Sequence, residues 1–316
     1  MWLRNCWYVI AWDHEIPAAG SRDLFSRTVL GEPILVLRRE DGALAALEDC
    51  CCHRSAPLSK GRRESDCVRC GYHGLMFDAA GRCVDALGLP AVPPKAPVRT
   101  YPVVLQRRWV FVWMGDPARA DRKLLPHNCS CDDPAWQHRP GYMHYETPYL
   151  LICDNLLDLS HLGYVHERTL GGSTAIAQAV PTIERIDAPR HSGGRPVGDA
   201  PDHLSNAVRL HSCQTLTRET ATSTHCFFQQ SHPAGQGDAS LTEGIYESLV
   251  AAFNEDRDII TAQHRKLLRP DALMLPLAMD SALIQFRRLL AERVRPEGAV
   301  AAAPAMRTGT PDPALS

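Results

Sequence analysis

Four residues of metal-binding type fall in two short segments, Cys51-Cys52-His53 and Cys70-Gly71-Tyr72-His73. Each segment offers one thiolate and one imidazole. Two such segments, brought side by side as loops, can hold a 2Fe-2S cluster with both cysteines on one iron and both histidines on the other. A Cys2His2 zinc site uses the same donors, but zinc knuckles usually pair Cys with Cys and His with His. We therefore expect Cys51, His53, Cys70 and His73 to bind an iron-sulfur cluster.

Three further cysteines lie beside these four, so the choice among them rests on register. Cys51 stands two residues before His53, which leaves Cys50 and Cys52 as free thiols, while Cys67 remains a rival of Cys70. The chain has 12 cysteines and no recognisable export signal. Because the cytosol keeps thiols reduced, we expect metal binding or simple burial for them, and not a disulfide framework.

A second group of polar residues is interleaved with apolar ones between Asp154 and His166. His161 and His166 are five residues apart, which on an ideal helix separates them by about 140°. A bend at Gly163 would bring them together. Two histidines and one carboxylate form the ligand set of non-haem Fe(II) oxygenases. A helix with two surface histidines is the competing interpretation.

The third ligand of such an iron should be a carboxylate distant in sequence. Asp280, just ahead of an apolar run, is the residue that we expect there, although an Asp at such a position can also serve as a helix N-cap. Asp256, Asp258 and Asp271 are weaker candidates for the same role.

The elements that must position these residues differ between the two halves of the chain. Residues 27–112 contain short β-rich runs separated by turn signals, which predict a compact all-β domain. Residues 115–140 are polar with several prolines and predict a connection. Beyond them we expect a helix at 154–165, a loop at 189–206, strands near 208–210 and 222–228, and amphipathic helices at 242–268 and 280–294. The predicted units are residues 1–115, 116–298 and a frayed tail, 299–316.

The composition is that of an ordinary globular protein. With 316 residues, 22% charged residues and a formal net charge of -2, the chain shows no signal for nucleic-acid or acidic-membrane binding. No window approaches the length of apolar sequence that a membrane span needs, and the N-terminus does not resemble a signal peptide. The sequence therefore predicts a cytoplasmic location.

With both motifs in hand, the chain resembles the oxygenase component of the Rieske non-haem iron oxygenases. Within that family it is most similar to the branch with vanillate O-demethylase, dicamba O-demethylase and toluenesulfonate methyl-monooxygenase. The resemblance covers nearly the whole chain and rests on residues 4–9, 51–59, 70–78, 154–161 with His166, and Asp280 ahead of 286–288.

The resemblance implies an α+β fold, with an N-terminal all-β Rieske domain followed by a helix-grip catalytic domain of antiparallel sheet and helices. It also implies one Rieske 2Fe-2S cluster, one mononuclear Fe(II) and a ring-shaped homotrimer. In the trimer a carboxylate matching Asp158 would link the cluster ligand His73 of one subunit to the iron ligand His161 of its neighbour and carry the electron. Asn155 is placed with Asp158 among the catalytic residues.

The resemblance further implies that electrons come from a separate NAD(P)H-dependent reductase with a flavin and a ferredoxin-type cluster. No Gly-rich dinucleotide-binding loop is found in this sequence. With O2, the enzyme would act as a monooxygenase on a small aromatic substrate. O-demethylation with loss of formaldehyde is favoured over N-demethylation and over methyl or ring hydroxylation. A Rieske electron carrier with a degenerate second site and a zinc-stabilised binding module are competing hypotheses from different functional classes.

The sequence departs from the family pattern at two places. Cys52 stands where the family usually has proline, which removes a rigid backbone angle and adds a thiol. The segment between His166 and Thr217 is shorter than usual and offers little strand-like sequence. We therefore expect either a shortened, open substrate pocket or an incomplete sheet.

Overall fold

The computed structural model of the chain describes residues 3–86, 97–126, 130, 133–167, 169 and 210–294. Its strands form four sheets, and all strand pairs are antiparallel. Among the described helices, none has both the length and the apolar character needed to cross a membrane. The predicted loop at 189–206 and the predicted tail at 299–316 lie outside the described residues.

Three of the sheets lie in the N-terminal part of the chain. Their strands are β1 Cys6–Trp12, β2 Phe25–Val29, β3 Glu32–Arg38, β4 Leu44–Glu48, β5 Arg62–Glu64, β6 Cys67–Arg69, β7 Leu75–Phe77, β8 Cys83–Ala86, β9 Thr100–Tyr101, β10 Val103–Gln106 and β11 Trp109–Met114. The strand orders are β1-β11-β10, β2-β3-β4-β9 and β5-β6-β7-β8. Short 3-10 helices at Asp13–Glu15 and Leu58–Lys60 connect some of these strands.

Local sequence explains the strands that form the core of this part. All six side chains of β11 are buried, as expected for a central strand covered on both faces. Between β3 and β4, Gly42 has a φ of 83°, a backbone conformation that glycine adopts without steric cost. Arg39 N–H donates to Ala43 O at 2.8 Å and closes the hairpin that Asp41-Gly42 predicts.

The C-terminal part combines the fourth sheet with helices. Its strands are β12 Trp136–Tyr145, β13 His211–Arg218 and β14 Thr224–Pro233, in the order β12-β14-β13. Its helices are α1 Tyr149–Leu157, α2 Leu162–Val165, α3 Ala239–Leu267 and α4 Ser281–Val294. Between these parts the chain forms 3-10 helices at Pro117–Arg119 and Arg122–Leu124.

Helix α3 covers one face of this sheet through its apolar stripe. Leu249, Phe253 and Ile260 pack in one buried cluster with Met143 and Phe228 of the strands. At the N-terminus of the helix, the Asp238 carboxylate accepts bonds from the next backbone amides, as N-cap residues do. The predicted α+β class, a sheet-rich N-terminal part followed by an antiparallel sheet with helices, is confirmed. The domain boundaries at 115 and 298 stay a prediction.

The two parts of the chain contact each other along the fourth sheet. Leu30 N–H donates to Arg218 O at 2.9 Å, and Gly31 N–H donates to Glu219 O at 2.7 Å. The Thr217 hydroxyl donates to Val9 O at 2.6 Å. The hairpin between β13 and β14 is therefore fixed against β1 and the β2–β3 turn.

Candidate metal centres

The two segments with a Cys and a His each form loops of the same construction. In each loop the Cys N–H donates to the carbonyl five residues later, and the fourth residue after the Cys donates back to the Cys carbonyl. The pairs are Cys51 to Ala56 and Ser55 to Cys51 in one loop, and Cys70 to Leu75 and Gly74 to Cys70 in the other. The fourth residue has a positive φ in both, 55° at Ser55 and 77° at Gly74. Each loop therefore turns back on itself just after its histidine.

Two glycines let the loops approach each other. A Cβ atom built on Gly61 would lie 2.0 Å from Arg69 O and 3.0 Å from Gly71 N. A Cβ atom on Gly71 would lie 2.8 Å from Lys60 O. Contacts with backbone atoms cannot be relieved by a rotamer change, so both positions require glycine.

The thiols and the imidazoles of the two loops differ in their exposure to solvent. The Cys51 and Cys70 side chains are buried next to each other, and burial raises the pKa of the Cys51 thiol to about 11. The His53 and His73 rings are exposed, with their centroids 4.5 Å apart. A buried thiol pair beside an exposed imidazole pair fits a 2Fe-2S cluster whose two irons differ in ligands. Among the rival cysteines, Cys52 is exposed and Cys67 lies in strand β6.

Two buried charged residues hold these loops in place. The Asp49 carboxylate accepts from Ser59 N at 2.7 Å, from the Ser59 hydroxyl at 2.6 Å and from the Ser26 hydroxyl at 2.7 Å. The Arg69 guanidinium donates two bonds to Glu64 and one to Gly74 O, each at 2.8 Å. Gly74 directly follows His73, so Arg69 supports the second loop next to its imidazole.

The second centre begins where helix α1 ends. Asp158 leaves the helical conformation with φ -114° and ψ 100°, and its carboxylate accepts from Ser160 N at 2.9 Å to start a 3-10 helix at Leu159–His161. The Asp158 main-chain carbonyl accepts a bond from His161 Nδ1. The helix predicted over 154–165 is therefore broken, and the bend lies at Asp158 and not at Gly163.

This bend brings His161 and His166 to one carboxylate on α3. Asp256 Oδ1 lies 3.4 Å from His161 Nε2 and 3.2 Å from His166 Nε2. His166 and Asp256 are buried, 1% and 4% exposed. Donor atoms bonded at right angles to one metal at about 2.1 Å lie about 3 Å apart, close to these separations. The group thus fits one face of a metal coordination sphere with the opposite face left open.

Neighbouring groups orient the three donors. Asn155 Nδ2 donates to Asp256 Oδ1 at 2.9 Å. His166 Nδ1 lies 2.9 Å from Glu255 Oε2, so this ring can donate to Glu255 and keep the Nε2 lone pair for a metal. Burial alone would lower the pKa of His161, but the bonds to Asp256 and to the Asp158 carbonyl raise it.

The carboxylate beside the two histidines is Asp256 and not Asp280, the third ligand expected from the sequence. The Asp280 carboxylate accepts from Leu277 N at 2.7 Å at the start of a 3-10 helix, Ala278–Asp280, that leads into α4. It belongs to no metal-binding group among the described residues, whereas Asp256 completes the group with His161 and His166. Asp280 thus caps the start of a helix, and its role as a metal ligand stays a prediction. Asp258 is exposed and Asp271 is paired with Arg269, so neither competes with Asp256.

A signal for Asp256 was present in the sequence. Asp256 lies seven residues after Leu249, three after Phe253 and four before Ile260, which places it on the apolar stripe of α3. A carboxylate on a buried helix face is rare unless it is paired or binds a metal. Glu255, which contacts His166, has no comparable signal because it neighbours the stripe without belonging to it.

Both parts of the chain match models of known protein families. A sequence model of the Rieske 2Fe-2S domain matches residues 6–102, and one of the vanillate O-demethylase oxygenase C-terminal domain matches residues 145–191 and 187–295. The toluene-4-sulfonate monooxygenase system iron-sulfur subunit of Comamonas testosteroni is 42% identical over 94% of this chain and 98% of its own length. The chain belongs to the Rieske non-haem iron oxygenases.

Dicamba O-demethylase is similar to this chain in both sequence and fold. The dicamba O-demethylase oxygenase component of Stenotrophomonas maltophilia is 32% identical over 90% of this chain and 96% of its own length. A crystal structure of dicamba monooxygenase bound to dicamba superimposes with a TM-score of 0.80 at 28% identity, covering 92% of this chain and 97% of that one. The expected oxygenase activity and the two cofactors, a Rieske cluster and a mononuclear iron, are confirmed at the level of the family.

The comparisons also bear on the shortened segment. The Comamonas match spans 346 aligned positions but uses 94% of 316 residues, about 297, so roughly 50 aligned positions have no counterpart here. The C-terminal family model matches in two pieces that meet at residues 187–191. That junction lies between His166 and Thr217, where the sequence departs from the family pattern.

Proposed function

We propose that this chain is the terminal monooxygenase of a multi-component system, and that it removes a methyl group from oxygen on a small aromatic acid. The observation that carries the proposal is the group of His161 with the buried His166 and Asp256, which offers three donors on one side. Iron bound there would activate O2 at its open positions. The substrate class is supported by relatives named as dicamba and vanillate O-demethylase oxygenase components.

Separate groups of residues would bind the iron, orient its ligands and bind the cluster. His161, His166 and Asp256 hold the iron, while Asn155 and Glu255 fix the orientation of Asp256 and His166. The low exposure of His166 and Asp256 keeps bulk water from the protein side of the metal, which limits wasteful side reactions. Cys51, Cys70, His53 and His73 would hold the cluster that supplies electrons.

As an oxygenase component the protein works with a separate reductase. We propose that this partner is an NAD(P)H-dependent protein with a flavin and a ferredoxin-type cluster. We also place the protein in the cytoplasm.

The path of the electron is proposed to cross between subunits of a homotrimer. Within the described residues of one chain, no hydrogen bond or ion pair joins His53 or His73 to Asp158 or His161. The exposed imidazole pair suits a contact with a neighbouring subunit, and Asp158 keeps a carboxylate oxygen beyond the one bonded to Ser160 N. Asp158 would thus link His73 of one subunit to His161 of the next.

The proposal is tested by turnover with NADH, O2 and a ferredoxin-type reductase on two matched substrates, 4-methoxybenzoate and 4-methylbenzenesulfonate. We expect the methoxy acid to yield formaldehyde and the phenol in equal amounts, with one O2 consumed. His161→Ala should keep the visible spectrum of the cluster and lose product formation. Benzylic alcohol without formaldehyde would assign methyl hydroxylation instead. Equal turnover by His161→Ala would refute the iron site.

A further inference from the structure

A second group of metal-binding side chains lies away from both iron centres, where the fourth sheet meets the N-terminal part of the chain. His144 of β12 and His225 of β14 are directly paired in register, so their side chains leave the same face of the sheet. Glu219 comes from the hairpin between β13 and β14. Their donor atoms all lie within 4.8 Å of one another.

The two carboxylate oxygens of Glu219 are divided between the two histidines. Glu219 Oε2 lies 2.6 Å from His144 Nε2, and Glu219 Oε1 lies 3.9 Å from His225 Nε2. On its other side, His225 Nε2 lies 3.0 Å from the main-chain oxygen of Thr28 in β2. Two imidazole nitrogens, a carboxylate and a carbonyl oxygen therefore converge on one small volume.

We propose that His144, Glu219 and His225 form a structural site for a divalent cation of the zinc type, with Thr28 O as a further ligand. Two imidazoles and a carboxylate are a common zinc donor set. Because Thr28 lies in β2 and the other ligands lie on the fourth sheet, the cation would fasten the Rieske part to the catalytic part. It shares no residue with either iron centre and does not depend on the proposed substrate.

The surroundings supply what ligating histidines usually require. A histidine that binds metal through one nitrogen normally offers the N–H of the other to an oxygen. His144 Nδ1 lies 3.4 Å from Glu146 Oε1, and His225 Nδ1 lies 2.9 Å from the Tyr142 hydroxyl. In each ring the outward nitrogen thus has an oxygen partner and Nε2 faces Glu219.

The positive charge that faces the site from β2 is offset by nearby carboxylates. Arg27 is the positive group that faces it from β2, and its guanidinium is bonded to Glu15 at 3.0 Å. Glu219 and Glu146 add negative charge. Without a cation, Glu219 and His144 remain a simple hydrogen-bonded pair, which is the competing explanation.

The experiment measures zinc binding by the whole protein with its cluster intact. His161→Ala serves as the background because zinc competes with iron for imidazole and carboxylate sites. We expect one zinc per chain after addition of ZnCl2 and desalting, with a rise in the thermal unfolding midpoint. Glu219→Gln in the same background should weaken zinc binding by about 100-fold or more, since even groups that only orient a ligand are worth about 10–100-fold.

The control variant is His14→Ala, which removes an exposed histidine outside the group. It should bind zinc like the background. His144→Ala should repeat the loss seen with Glu219→Gln, and a zinc-edge anomalous signal between His144 and His225 should locate the ion. Absence of tightly bound zinc in the background, or equal binding by Glu219→Gln, would overturn the proposal whatever the oxygenase activity proves to be.

Discussion

Replacing Asp256 by Asn tests the choice of the third iron ligand. The change keeps the side-chain shape and removes the charge that lies 3.2 and 3.4 Å from the two histidine nitrogens. Groups that merely orient a metal ligand are worth about 10–100-fold in affinity, so loss of a charged ligand should cost more than about 100-fold. That factor corresponds to more than about 2.7 kcal/mol. We expect the mononuclear site of Asp256→Asn to be empty at micromolar iron.

The assay is iron and acid-labile sulfide per chain in protein purified without oxygen. The wild-type protein should contain about three irons and two sulfides, and Asp256→Asn about two of each, because the cluster contributes two irons and two sulfides. The sulfide content acts as an internal standard, since it reports cluster loading independently of the second site. The EPR spectrum of the reduced cluster should be the same in both proteins.

The matched control is Asp280→Asn, which changes the carboxylate that the sequence alone favours. Its bond to Leu277 N can be kept by the Asn side-chain oxygen, so we expect full iron content and nearly unchanged stability. If Asp280→Asn loses the third iron while Asp256→Asn keeps it, the arrangement of α1 and α3 described above is wrong.

Three further predictions concern the cluster and its electron. Gly61→Ala would place a Cβ 2.0 Å from Arg69 O, so we expect loss of the visible cluster absorbance. The control Gly244→Ala has open space and a helical position, and it should raise the free energy of unfolding by up to about 1 kcal/mol. Normal cluster loading in Gly61→Ala would contradict the close approach of the loops. Arg69→Lys removes the two-pronged bond to Glu64 and should lower the thermal unfolding midpoint of the cluster-loaded protein, which an unchanged midpoint would disprove. Asp158→Asn should load both metals yet slow single-turnover product formation by about tenfold or more, and a wild-type rate would contradict the electron path through Asp158.

The cluster loops could be predicted from the sequence because their information is local. Each loop contains its own Cys, its own His and the residue that turns the backbone, so short spacings are enough to predict which residues would be the donors. The long helices were also foreseen within a few residues, at 242–268 against Ala239–Leu267 and at 280–294 against Ser281–Val294. In Ala239–Leu267 the apolar period also marks the buried face.

Contacts between elements that are distant along the chain could not be predicted from the sequence. Asp256 and Asp280 are both acidic residues on or beside C-terminal helices, and only the packing of α3 against α1 decides which one meets the histidines. The pairing of His144 with His225 depends in the same way on strand register. The break at Asp158 was missed because the residues after it keep a helical pattern, although the Asp158 side chain caps Ser160 N and starts a new turn.

The exposed edge formed by His53 and His73 has a chemical consequence. A reduced cluster gives up its electron most readily where the least protein covers it, and this edge is bordered by Tyr72, which is 61% exposed. Dissolved O2 could approach the same edge, and an electron lost to it there would yield superoxide without any substrate being oxidised. Efficient coupling therefore requires that another protein surface cover the imidazoles for most of the lifetime of the reduced state.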